Sequence, residues 1–89
     1  MSNKSVAKTF KAIGNERRFL ILKYLFSKKE LTVGEISKLI ELSFKSTSRH
    51  LAVLSDVNLV AVKQINLSRY YSLHYKNMKE FITFLKDTN

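Results

Sequence analysis

With 89 residues, 45% of them hydrophobic, the chain can fill one modest core and not two. A formal charge of +9 directs so small a domain towards a polyanionic partner, either nucleic acid or an anionic membrane surface. The chain holds no cysteine, which excludes disulfides, thiolate metal sites and thiol redox switching.

A bilayer span needs about 20 apolar residues in succession, and the longest strictly apolar run, Phe19-Leu20-Ile21-Leu22, stops at Lys23. No membrane partner is expected from that pattern. Met1 to Lys11 is polar and basic, without an apolar stretch of signal-peptide length, so the expected location is cytoplasmic. The charge is uneven: from Met1 to Lys29 eight Lys/Arg face Glu16 alone, whereas Glu30 to Leu42 is net acidic and Ser43 to Tyr75 is net basic again.

Without proline, and with two glycines, the chain reads as compact helices joined by short turns. A first helix fits Ser5 to Ile13, with Val6, Phe10 and Ile13 as an apolar stripe and Gly14 at the C′ position. Asn15 caps a second helix running to Phe26. On it Phe19, Leu22, Leu25 and Phe26 share one face, and Leu20 and Tyr24 form a second stripe, which predicts burial on two sides. Thr32-Val33-Gly34-Glu35 is a capping box, in which the Thr hydroxyl and the Glu carboxylate each accept from the other residue's backbone N–H. It starts a third helix to Ile40, with Val33, Ile36 and Ile40 turned inward.

Only Glu41 and Leu42 separate that helix from Ser43, the N-cap of a fourth helix reaching Val57. So short a junction predicts a helix-turn-helix. At about 100° per residue, Thr47, Leu51 and Leu54 fall on one side of the fourth helix, and Lys45, Ser48, Arg49 and Ala52 on the other. That outer side is basic, small and polar, and its one carboxylate, Asp56, lies at the far end, which suits phosphates and base edges. Beyond Asn58 the residues become β-branched and aromatic. Val60 to Ile65 and Arg69 to Leu73 read as a β-hairpin, with Asn66 taking a positive φ at its tip. A last helix, Lys76 to Asp87, carries Phe81, Ile82, Phe84 and Leu85. With Val6, Phe10 and Ile13 of the first helix, these give the terminal helices more apolar surface than one small core requires, which predicts a homodimer surface.

Four stretches together carry a family resemblance. They are Ala12-Ile13-Gly14-Asn15-Glu16-Arg17-Arg18 with Ile21-Leu22; Leu31-Thr32-Val33-Gly34-Glu35-Ile36; Leu42-Ser43 to Ser48-Arg49-His50-Leu51; and Leu59-Val60 to Tyr70-Tyr71-Ser72-Leu73. In this order they resemble the ArsR-type winged-helix repressors over residues 6 to 75. The resemblance implies a mostly α, winged helix-turn-helix fold, in the order α-α-(β)-α-α-β-β-α, forming one domain over 1–89. It also implies a homodimer built on the terminal helices, a recognition helix at Ser43 to Val57, hairpin wings beside the DNA, and repression by promoter occupancy. Metal-sensing members carry cysteines in the third helix, which are missing from Leu31 to Glu35, or an Asp/His/His/Glu set in the last helix, whereas Lys76 to Asn89 has no histidine. No metal, cofactor or other effector is assigned. The frequent Gly-Arg of the wing tip is replaced by Asn66-Leu67. The Gln common at the start of the recognition helix is replaced by Phe44, for which packing is expected and contact with a thymine methyl is the alternative.

The candidate DNA-contacting residues are accordingly Ser43, Lys45, Ser46, Ser48 and Arg49 on the fourth helix, with Lys63 and Arg69 on the wing for phosphates. His50, towards the buried side of its helix, and His74, at a strand end, lack ligand spacing and read as structural. No nucleophile and base stand at a diagnostic spacing and no Gly-rich phosphate loop exists, so no catalytic role is expected. The expected function is that of a transcription regulator binding double-stranded DNA. The competing reading is a winged helix that docks acidic protein partners through its basic N-terminal third.

Overall fold

The computed structural model describes residues 3–87. Its elements in chain order are α1 (Asn3–Ile13), α2 (Glu16–Lys28), β1 (Glu30–Thr32), α3 (Val33–Ile40), α4 (Phe44–Asp56), β2 (Val60–Ile65), β3 (Ser68–Leu73), α5 (Tyr75–Met78) and α6 (Ile82–Asp87). The helices gather around α2, whose Ile21, Leu22 and Leu25 are fully buried. Phe19, Leu20, Tyr24 and Phe26 flank them, half-buried. Leu22 and Leu25 of the first expected stripe are therefore core residues, while Phe19, Phe26 and the second stripe, Leu20 and Tyr24, form the margins, and Ile21 fills the gap between the two stripes.

Polar side chains and backbone turns set the helix boundaries. The Asn15 side chain accepts from Arg18 N at 3.1 Å and starts α2. Lys29, at φ 76°, ends it by donating its N–H to Leu25 O. The capping box is complete: Glu35 N donates to Thr32 Oγ1 at 3.2 Å and Thr32 N to Glu35 Oε1 at 2.8 Å. Hydrogen bonds from the Thr32 backbone and then its side chain hold the Glu35 carboxyl below the usual carboxylate range. Gly14 follows α1 as expected but does not use a left-handed conformation. Its N–H donates to Phe10 O at 2.8 Å, and a Cβ on it would sit 3.1 Å from that same oxygen. Close approach, not positive φ, is its local use.

The sheet has the order β1-β3-β2, antiparallel throughout. Leu31, Val60, Tyr71 and Leu73 join the core under it. Asn66 turns the β2–β3 hairpin at φ 56°. The last helix departs from the expected single element over 76–87: the chain bends at Lys79–Phe81, where Phe81 N donates to Met78 O, and α5 and α6 are separate. No proline or glycine marks the bend. The Phe81 ring there meets Phe10 of α1 edge-on, with centroids 5.8 Å apart, and Met78 and Leu85 on either side are both buried.

Candidate nucleic-acid interface

The junction between α3 and α4 is built by one strained residue and one cap. Glu41 takes the left-handed conformation at φ 54°, and Leu42 N reaches back to Ser37 O at 3.0 Å. The chain then leaves in extended form through Ser43, whose Oγ accepts from Ser46 N at 3.1 Å and starts α4. Thr47, Leu51 and Leu54 are buried beneath α4. Its opposite side presents Lys45, Arg49 and Ala52 to solvent, with Ser46 and Ser48 half-buried. Among the described residues neither Lys45 nor Arg49 has an ion-pair partner, so both charges remain available to an anion.

Two arginines that sequence reasoning counted only as charge hold this helix pair in place. Arg17 Nη1 donates to Ile40 O at 2.7 Å, satisfying a carbonyl at the end of α3. Arg18 Nε donates to Ala12 O at 2.7 Å, and its Nη1 lies 3.3 Å from His50 Nδ1 on α4. A guanidinium has no acceptor, so His50 accepts through Nδ1 and carries its proton on Nε2. Burial, then Arg18, then Arg17 hold the His50 pKa below its ordinary value. The sequence carried no local signal for this role, because the partners Ile40, Ala12 and His50 lie on other elements.

Phe44, expected to pack, is 63% exposed. It is the first residue of α4, directly after the Ser43 cap. In the wing, Lys63 pairs in register with Tyr70, and Arg69 with Gln64. Residues directly opposite share a face, and faces alternate along a strand, so Lys63 and Arg69 point to opposite sides of the hairpin. Lys63 also lies 3.4 Å from the Glu30 carboxylate, an exposed pair of small energetic weight. The structure therefore does not bring the two wing cations onto one surface.

Of the apolar residues on the terminal helices, Val6, Phe10 and Phe84 are exposed, and Ile13, Phe81 and Ile82 are half-buried. Leu85 is corrected: at 3% exposure it belongs to the protomer's own core and offers nothing to a partner. A cleft of about 700 Å³ opens beside Val6, Phe10, Val57 and Phe81, and a smaller apolar one of about 190 Å³ adjoins Phe10, Phe19 and Phe84. His74 is half-buried, and its Nδ1 has no hydrogen-bond partner among the described residues. No three His, Asp or Glu side chains among them gather as a metal cluster, and no helix among them is long and apolar enough to cross a membrane.

A tightly joined helix pair with an antiparallel hairpin beside it defines a winged helix-turn-helix protein. The family model for bacterial regulatory proteins of the arsR family matches residues 15–62, from the cap of α2 into β2. The transcriptional activator HlyU of Vibrio cholerae is 40% identical over 75 residues, covering 84% of this chain and 68% of that protein. A homologue of the cadmium resistance transcriptional regulatory protein CadC from Staphylococcus aureus is 31% identical over 77 residues, 86% of this chain and 64% of that one. The solved structure of Vibrio cholerae HlyU superimposes with a TM-score of 0.83 at 36% identity, covering 96% of this chain and 94% of that chain. The chain belongs to the arsR family and is a DNA-binding transcription regulator.

Proposed function

We propose that the protein is a homodimeric repressor that reads an inverted repeat in duplex DNA by laying α4 in the major groove. The observation that carries this reading is the division of α4. One face is locked by Thr47, Leu51 and Leu54, and the other presents Lys45 and Arg49 without partners among the described residues, beside the short side chains of Ser48 and Ala52. Lys45, Ser48 and Arg49 contact base edges. Ser43, Ser46 and one wing cation, Lys63 or Arg69, contact phosphates, which set position without reading sequence.

The chain acts as one winged-helix domain whose terminal helices meet those of a second copy through Val6, Phe10, Ile13, Phe81, Ile82 and Phe84. Burying exposed Phe10 and Phe84 supplies the apolar contribution to that contact. A two-fold dimer places two recognition helices about 34 Å apart, one turn of the duplex. Repression follows from occupying a promoter. The Vibrio cholerae relative is a transcriptional activator, and for a protein that acts by occupancy the position of the operator decides the direction. Selection from random duplexes tests the reading. Enrichment of a palindrome with half-sites one turn apart is expected. Failure to enrich any sequence would instead favour a winged helix that docks proteins.

A further inference from the structure

We infer that Phe44 reads the 5-methyl group of one thymine in each half-site; this rests on α4 entering the major groove. Phe44 is the first residue of α4 and is 63% exposed, whereas Thr47 and Leu51 behind it are fully buried. At about 100° per residue, Phe44, Ser48, Ala52, Lys45 and Arg49 occupy a continuous arc of about 140°. Within it Ser48 and Ala52 are short and Asp56 lies about three turns away at the far end of the helix, so near the N-terminus the ring and the two cations are the groups that stand out.

Their chemistry divides the work. Lys45 and Arg49 donate hydrogen bonds, matching guanine O6 and N7 or phosphate oxygens. The Phe44 ring has neither donor nor acceptor, and against a polar base edge it would only strip water from groups it cannot satisfy. The apolar feature of the major-groove edge is the thymine methyl. The ring also stands at the helix N-terminus, the part of a recognition helix that contacts base edges, and the cations beside it make the surface complementary to DNA.

The test uses the duplex selected by the wild-type protein, with each thymine replaced singly by uracil, which lacks only the methyl. One symmetry-related pair of thymines is expected to weaken binding about fourfold per replacement, the worth of one buried methyl group. Phe44→Ala is expected to bind the thymine duplex more weakly and to bind the thymine and uracil forms equally at that position, while Phe44→Leu retains part of the discrimination. The ring is exposed, so both variants should keep the wild-type melting temperature. Wild-type binding indifferent to every uracil, or a Phe44→Ala protein that discriminates as the wild type does, overturns the proposal. A selection that yields no sequence removes the major-groove reading and this inference together. An enriched palindrome whose binding needs Lys45 and Arg49 but ignores the methyl removes this inference alone.

Discussion

Thr47 is fully buried, and its Oγ1 has no hydrogen-bond partner among the described residues. A buried hydroxyl left unsatisfied costs about 1–3 kcal/mol. Thr47→Val keeps the branched shape and removes the group, so it should stabilise the fold by about 1 kcal/mol and raise the melting temperature by roughly 4–8 °C. Loss of stability in urea would show that the hydroxyl has a partner. His50 makes a prediction of a different kind. Its folded-state pKa lies below the ordinary value of 6.5 because burial and then Arg18 and Arg17 disfavour the imidazolium. The unfolded chain therefore binds this proton more readily. His50 contributes its full share of stability above about pH 6.5 and loses it as pH falls through the folded-state pKa. Between pH 7.5 and 5.5 the urea midpoint of the wild type should fall more steeply than that of His50→Gln; parallel profiles would contradict the depressed pKa.

At the scale of elements, the recognition helix depends on its first turn. Ser43→Ala removes the oxygen that accepts from Ser46 N and should cost about 1 kcal/mol. Ser43→Asp restores an acceptor and suits the helix dipole, yet places a negative charge at the DNA face. Its melting temperature should return towards the wild-type value while its affinity for DNA falls; recovery of both would remove Ser43 from the interface. The elements most legible in the sequence were those with local chemical marks: the Thr32–Glu35 box, the Asn15 and Ser43 caps, and Asn66 in the hairpin. The bend between α5 and α6 was not legible, because no proline or glycine announces it and it occurs where Phe81 meets a ring about seventy positions earlier in the chain. The exposure of Phe44 was missed for a related reason. Helical phase placed it at the edge of the buried face, but phase alone does not tell whether another element covers the first residue of a helix. The roles of Arg17 and Arg18 were hidden because their carbonyl and imidazole partners lie on other elements.

Over the whole molecule, charge and apolar surface separate into different tasks. Most of the net positive charge lies in the first third of the chain, where under the proposed function it adds sequence-independent attraction to DNA. Lys45 and Arg49 of α4, without ion-pair partners among the described residues, are the proposed reading face. The apolar residues exposed on α1 and α6, Val6, Phe10 and Phe84, are the surface proposed to pair two copies. The hairpin contributes less than its two cations promised, since Lys63 and Arg69 lie on opposite faces and only one can approach the same DNA backbone. Attraction resting on phosphates must weaken with salt as counterions are released. The most direct measurement compares the wild type with Lys45→Glu/Arg49→Glu for affinity to a selected duplex between about 50 and 200 mM salt. The wild type should bind specifically and lose affinity by roughly a thousandfold or more across that range, and the double variant, with an unchanged circular dichroism spectrum, should show no specific binding at any salt concentration. A folded double variant that binds as tightly as the wild type would contradict the assignment of α4 as the reading helix.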